Sequence, residues 1–438
     1  MRIWPFQGYR YNPAKVPELS LVVAPPYDQI DPEIQAELYG RHPWNVVRIT
    51  RGRDEPGDGA GDNRYRRARE YLDRWIAEGV LVSDPEPAFY PYHQTYRVAG
   101  EVVTRRGLIA LGTLAEYEEG VVLPHERTLA LPKADRLSLL EATRAATGLI
   151  FMLVSDPSGE LLDAMAPPPP APLAEVRDLK GEIHRLWRIT DRAAIARIQA
   201  LMAEKQAIIA DGHHRYETAL EYRRQHPDAD LKLIAIFALE APGLTIYPNH
   251  RLVHNVAGFD PAALVARIRP RFEVKRCPSL PDSTAEAAAL TSALHTRVRG
   301  GRLAVALVAG AEAPGYLLTL RPAAFETIPW PPETSPAWRR LAVSVLHEGV
   351  LKPFVGITEE TLHQKTHVDY TADAAEAVTL VRKGNYQAAF LLPPTAPAEL
   401  QAVVRAGELL PQKSTHFYPK LLDGLVFFRL PSDTGALG

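Results

Sequence analysis

Leu231 to Leu239 is a nearly continuous apolar run, and no other stretch of the chain restricts its possible folds so sharply. In-and-out alternation marks a strand with one wet face, whereas an unbroken run of this length marks a strand covered on both. Just upstream, Ala207-Ile208-Ile209-Ala210 reads as a second short strand, Gly212 as a turn and His213 to Gln225 as a helix. A strand–turn–helix–strand unit in mid-chain requires a sheet with helices packed on it. The fold class that follows is α/β (or mixed α+β) with mixed sheets.

The rest of the chain supplies enough elements for more than one domain. At roughly 150 residues per domain, 438 residues divide into an N-terminal mixed α/β domain (1–165), a central region holding the strand–turn–helix (166–258) and a C-terminal α+β domain (259–438). Pro167 to Pro170 reads as an extended boundary segment. In the first domain, Leu19 to Ala24 reads as a short strand stopped by Pro25-Pro26. Asn63 to Gly79 reads as a helix with Ala68, Leu72, Trp75 and Ile76 on one face. Phe89 to Tyr96 and Val102 to Leu114 form a hairpin around Ala99-Gly100, and Lys133 to Thr147 is a helix between Pro132 and Gly148. Further along, Asp191 to Glu204, Ala337 to His347, Ala372 to Lys383 and Ala396 to Glu408 read as helices, and Leu303 to Val308 and Tyr316 to Leu320 as strands.

Charge narrows the function classes. Lys and Arg total 50 against 52 Asp and Glu, a net charge of −2, so no global basic field draws the protein to nucleic acid or an anionic membrane. Any anion site is local. One cysteine, Cys277, excludes an internal disulfide and Cys-based zinc sites, and it points to a reducing compartment. Met1 to Arg10 lacks the apolar core of a signal peptide, and no apolar run approaches the ~18 residues of a membrane span. The chain therefore reads as soluble and cytoplasmic.

The strongest local motif is Asp211-Gly212-His213-His214-Arg215-Tyr216-Glu217 directly after the strand Ala207–Ala210. Glycine lets the backbone approach a ligand, a helix N-terminus favours an anion, and Arg215 adds a bidentate phosphate donor. The competing reading is a turn capped by Asp211 with two solvated histidines. A second cluster, His125-Glu126-Arg127-Thr128 with Lys133, Asp135 and Arg136, gathers carboxylates, cations and a hydroxyl within 12 residues at the mouth of a helix. That composition suits holding a phosphate while a hydroxyl loses its proton; otherwise it is an ion-paired surface loop. Asp28 follows the rigid Pro25-Pro26, and Gln412 to Lys420, with Lys413-Ser414-Thr415 near its start, is a loop of cations, hydroxyls and aromatics. The run Arg64-Tyr65-Arg66-Arg67-Ala68-Arg69 reads as the wet face of its helix. No Walker A string, dinucleotide-binding glycine pattern, Gly-x-Ser-x-Gly or His-Glu-x-x-His occurs.

These residues carry two resemblances. Asp211 to Glu217 looks like the phosphate-binding loop of the ParB/sulfiredoxin superfamily, in which a Gly-x-x-Arg turn at a helix N-terminus holds nucleotide phosphates. His213 stands where sulfiredoxin has its cysteine, so sulfiredoxin chemistry is excluded. The whole chain, from Arg10-Tyr11-Asn12 and Ala24-Pro25-Pro26-Tyr27-Asp28 through Lys133-Ala134-Asp135-Arg136, Ala210 to Glu217 and Asn249-His250-Arg251-Leu252 to Phe417-Tyr418-Pro419-Lys420, resembles a large bacterial and archaeal family catalogued as a domain of unknown function and labelled ParB-like. It departs from that family at Ala145-Ala146-Thr147-Gly148, where an Asn-Ser-Pro type ending is usual.

The superfamily contains free L-serine kinases, and the resemblance implies a phosphotransferase that converts free L-serine to O-phosphoserine with a small phosphoryl donor. Pyrophosphate is favoured narrowly over a nucleotide, because no adenine pocket is recognisable in the sequence. By the same resemblance Asp211, Gly212, His213, His214, Arg215, Lys133 and Arg136 bind phosphate, and Asp28, Glu126, Asp135 and His214 are the catalytic candidates. His125, Thr128, Lys413, Ser414 and Thr415 are substrate-binding candidates, and magnesium is expected with no ligands assigned. The alternative is a ParB-like nucleotide-binding, DNA-associated regulator without kinase activity, which the charge balance disfavours.

Overall fold

The apolar run forms the strand Leu231–Ala238, set inside a nine-stranded mixed sheet. The computed structural model describes residues 1–127, 130–168, 171–364 and 366–430, so Thr128 and the Pro169-Pro170 part of the boundary segment lie outside the described residues. The described chain falls into two units: Met1–Thr245 with the segment from Pro419 onward, and Ile246–Tyr418.

In the first unit the sheet strands are β1 (Ile3–Trp4), β2 (Tyr90–Val98), β3 (Glu101–Thr113), β4 (Val122–Leu123), β5 (Ile150–Val154), β6 (Ala174–Arg177), β7 (Ile183–Leu186), β8 (Ala207–Asp211) and β9 (Leu231–Ala238). Their order is β4-β8-β5-β9-β3-β2-β7-β6, with β1 on β3. β9 runs parallel to β5 and antiparallel to β3, and β8 runs parallel to β4 and antiparallel to β5. Register decides which face each residue serves. Ile234 pairs with Ile150 and Ala110, and Ile236 with Met152 and Leu108. Those residues share a core with Ile209, with Ile198 and Met202 of the helix Arg192–Ala203, and with Tyr216, Ala219 and Leu220 of the helix His213–Gln225. Full burial of one such side chain contributes roughly 1.5–3 kcal/mol.

The opposite face carries Phe151 and Phe237, whose rings lie under the Arg105 guanidinium at 4.5 and 4.8 Å. Arg105 is 1% exposed and donates to the carbonyl of Pro419 at 2.6 Å. Gln94, bonded to Arg105, donates to the carbonyl of Lys420 at 2.9 Å. Behind them, the Nε2–H of His184 faces the Asp178 carboxylate at 3.3 Å, leaving Nδ1 to accept from the Tyr92 hydroxyl at 2.6 Å. The returning segment is then stitched down along its length. Asp423 exchanges backbone hydrogen bonds with Ala24, Phe427 pairs with Tyr9, and Phe428–Arg429 pair with Ala145–Ala146. Leu38, Val47, Ala68, Leu72, Trp75, Leu139 and Phe427 belong to a second, smaller core.

Two readings of the N-terminal region need correction. Leu19–Leu21 is a turn of 3-10 helix, and only Ala24 is extended, bridged to Asp423. The helix read as Lys133 to Thr147 spans Ala130–Thr143, because Arg144 adopts a φ of 47° and Ala145–Ala146 leave to pair with Phe428–Arg429. The turn at Leu19–Leu21 closes through local hydrogen bonds, whereas Ala24 and Ala145–Ala146 are claimed by the distant C-terminal segment. The helix at Asn63, the hairpin at Ala99-Gly100 and the helix after Asp191 form as expected, with Asn63 and Asp191 as side-chain caps.

The second unit is built on a six-stranded antiparallel sheet in the order Phe272–Cys277, Gly315–Leu320, Ala304–Ala309, Ala388–Leu391, His250–Val253, Val368–Thr371. Ser283–Arg299 and Ala374–Arg382 pack on it through Leu290, Leu294, Val378 and Val381. The expected helix Ala337 to His347 is instead Pro336–Arg339 and Ala342–Leu346, broken where Leu341 turns extended, followed by a π-helical segment His347–Val355. Among the described residues no helix is long and apolar enough to cross a membrane.

Candidate functional site

The first unit brings the motif residues together at the end of β8. Gly212 begins the helix His213–Gln225 with φ 96°, in the left-handed region where glycine is at home, and no side chain caps the helix. Asp211 is therefore not the cap that one reading of the sequence made it. Its carboxylate pairs with the Lys420 ammonium at 3.0 Å. Burial alone would raise the Asp211 pKa, but Lys420 and Arg215 outweigh it and hold the carboxyl well below its usual range.

Arg215 is the unusual group. It is 8% exposed, its Nε is buried without a hydrogen-bond partner, and no ion pair closes on it among the described residues. Two glycines leave room for its guanidinium. A Cβ at Gly212 would lie 3.1 Å from Nε, and one at Gly148 would lie 3.2 Å from Nη1 and 3.1 Å from Oδ1 of Asp423. A buried donor without an acceptor costs about 1–3 kcal/mol, and a ligand oxygen would recover that cost.

The two histidines differ. His213 is buried, and its Nε2 accepts the backbone N–H of His125 at 3.2 Å, which fixes it as a neutral ring. Burial, reinforced by His125, drives its pKa well down. His125 in turn uses Nδ1–H on the carbonyl of Ile209 at 2.5 Å and meets His213 edge-on, 4.7 Å between ring centres. His214 is half-buried and its pKa is also lowered, chiefly by burial.

The second cluster divides. Asp135 is held by Arg64 at 2.7 Å, by the Tyr65 hydroxyl at 2.8 Å and by Arg136 at 2.5 Å. Lys133 is ion-paired with Glu217. Arg136 also donates to the carbonyl of Thr50 at 2.8 Å and lies over the Tyr27 ring at 4.1 Å. Glu126 is partly exposed beside His125, and Asp28 is exposed, close enough to Arg215 and Asp423 to influence both. Lys413, Ser414 and Thr415 belong to the second unit, where the carbonyls of Lys413 and Thr415 accept from Arg251 and Asn249 at 3.0 Å each. The arginines from Arg64 to Arg69 are paired with Asp54, Asp58, Glu70, Asp73 and Asp135.

A small cavity of about 40 Å³ opens beside Arg215, lined by Arg136, Lys232, Asp423, Tyr27, Thr147 and Gly148 among others. Lys232 and Asp423 were not among the residues singled out from sequence. Lys232 is 8% exposed, and burial, then Arg215, pulls its pKa down to about 8. Asp423 is 3% exposed, and burial pushes its carboxyl up to about 7 against the nearby Arg215, Arg136 and Lys232. A signal for both stood in the sequence: each is a lone charge inside an apolar run, Leu231-Lys232-Leu233-Ile234 and Leu421-Leu422-Asp423-Gly424-Leu425. Among the described residues no group of three His, Cys, Asp or Glu side chains could hold a metal ion, so the expected magnesium finds no ready protein cage.

The family model described as "Protein of unknown function (DUF1015)" matches residues 3–344. Among curated proteins none matches the sequence. Solved structures similar to this chain include a conserved hypothetical protein from Pyrococcus furiosus, at 13% identity and TM-score 0.32, covering 69% of this chain and 90% of that one. Another is a free serine kinase in complex with AMP, at 13% identity and TM-score 0.33, covering 68% and 83%. A third is C-terminally truncated SbnI from Staphylococcus aureus, at 12% identity and TM-score 0.32, covering 72% and 85%. Likeness at these scores says nothing of what this chain does.

Proposed function

The chain belongs to the DUF1015 family, and from that premise we propose that it is a phosphotransferase acting on a small-molecule hydroxyl. The acceptor is free L-serine, giving O-phosphoserine, and the donor is pyrophosphate, narrowly preferred to a nucleotide. One observation carries this reading: Arg215 is buried, has no partner for its Nε, and stands at an uncapped, glycine-started helix N-terminus. Free helix N–H groups with an unsatisfied guanidinium form an anion site. The preference for pyrophosphate rests on the sequence, in which no adenine pocket is recognisable.

In this reading Gly212, His213, His214 and Arg215 hold the donor phosphates, and Arg136 offsets charge on the transferred group. Lys133 joins only by releasing Glu217. Asp28 is the favoured base over Glu126 and Asp135: it is exposed to a substrate, whereas Asp135 is committed to Arg64, Tyr65 and Arg136. The serine hydroxyl passes its proton to the Asp28 carboxylate as its oxygen bonds to phosphorus, and the bond from phosphorus to the leaving phosphate breaks. Magnesium would arrive with the donor, because Mg²⁺ is ordinarily held by one or two carboxylates together with substrate phosphates. The test is incubation of the full chain with magnesium, L-serine and, in turn, pyrophosphate, ADP, ATP or CTP, read by phosphorus NMR. O-phosphoserine formed by the wild type and lost in Arg215→Ala supports the assignment, whereas no product with any donor, or undiminished product in the variant, refutes it.

A further inference from the structure

The cavity beside Arg215 holds a carboxylate as well as cations, and that combination constrains what can occupy it. Arg136, Arg215 and Lys232 supply only donors, and for Arg215 Nε and for Lys232 no hydrogen-bond partner exists among the described residues. Such a site calls for an anion, and its size admits only a small one. Asp423, at 3% exposure, also lines it, and its side chain has no hydrogen bond among the described residues. An ionised carboxylate only accepts. An oxyanion oxygen without a proton would face Asp423 acceptor to acceptor, whereas one bearing a proton would donate to it.

We propose that Asp423 is a specificity-determining residue that makes this cavity select a small oxyanion carrying a proton on oxygen, of the phosphate class, over a proton-free oxyanion of the sulfate class. The inference rests on the anion-site reading above and goes beyond it, because at pH 8, where phosphate and sulfate are both mainly dianions, charge attraction alone treats them alike. Selection by an opposed acceptor works by penalising the wrong ligand rather than by improving the right one. The charged and titratable groups that act on Asp423 are Arg215, Arg136, Lys232, Asp28 and Tyr92. With its carboxyl titrating near pH 7, Asp423 is ionised and selective above neutrality; below it, the protonated acid donates to sulfate and the preference narrows.

The test is calorimetric titration of the full chain with inorganic phosphate and with sulfate at matched ionic strength, at pH 8 and pH 6. Expected at pH 8 is a phosphate preference of roughly tenfold or more, the usual penalty for one opposed acceptor, shrinking at pH 6. Asp423→Asn, whose amide can donate, should bring sulfate to within a few-fold of phosphate at both pH values, and Arg215→Gln should weaken both anions. Equal binding of the two anions by the wild type, or an undiminished preference in Asp423→Asn, overturns the selector role and leaves the anion site standing. Binding of neither anion overturns both. Should Asp423→Asn fail to fold, Asp423→Ala is titrated at pH 8 in its place, where both anions are mainly dianions: an undiminished phosphate preference there overturns the proposal.

Discussion

The carboxylate of Asp211 and the ammonium of Lys420 meet at 3.0 Å across 209 positions of sequence. This pair ties the turn that opens the helix His213–Gln225 to the returning C-terminal segment. Lys420→Met leaves Asp211 charged, mostly buried and short of its cation, and should cost about 1–3 kcal/mol in urea unfolding. The pH sign follows from the depressed Asp211 pKa. Its stabilisation is present above the ordinary carboxylate value of about 3.9 and is lost as pH falls below it, so Asp211→Asn should flatten the acid limb of the stability curve.

Asp423 predicts the opposite slope. Its folded pKa of about 7 lies above the unfolded value. The folded state therefore binds the extra proton, and its contribution is full below about pH 4 and lost as pH rises through 7. At about 1.4 kcal/mol per unit, stability should fall by up to a few kcal/mol over that window. Unfolding midpoints measured from pH 4 to 8 check this, and the decline should vanish in Asp423→Asn.

Gly148 and Gly212 admit no side chain without moving Arg215. Gly212→Ala must hold a left-handed backbone at a cost of about 1–2 kcal/mol, with its Cβ at 3.1 Å from the guanidinium. Gly148→Ala has an ordinary backbone but presses on Asp423 and Arg215 together. Both should fold, with phosphate affinity reduced at least about tenfold. Unchanged affinity by calorimetry in either would mean that Arg215 does not hold the anion.

Asp28 and Asp135 should separate activity from stability. Asp28 is exposed, so Asp28→Asn should leave the unfolding midpoint within about 0.5 kcal/mol while lowering turnover by about a hundredfold or more. Asp135→Asn loosens its contacts with Arg64, Tyr65 and Arg136, and should lower stability by about 1–3 kcal/mol with a smaller loss of turnover. A reversed pattern would move the base from Asp28 to Asp135.

Much of this was legible in the chain because the signals were local. The unbroken run at Leu231 does sit inside a sheet with both faces covered, and the Gly212 turn does open a helix from the end of a buried strand. What escaped was set by distance. Ala24 and Ala145–Ala146 take their pairing from residues beyond 420, and no neighbour in sequence announces it. Asp135 looked like a base because its composition is right, yet Arg64 and Tyr65, some 70 positions away, had already claimed it. Lys232 and Asp423 were hidden by the opposite error, since a single charge in an apolar run is easily passed over when clusters are sought.

Because Lys420 and Asp423 lie after the whole of Ile246–Tyr418 in the chain, the order of synthesis matters. A nascent chain normally folds its N-terminal domain first, but here that unit emerges without the ion partner of Asp211 and without one wall of its cavity. The second unit must be made before the first can be finished. A messenger cut short anywhere before Lys420 would thus yield a protein with every residue from Asp211 to Glu217 present and no completed site.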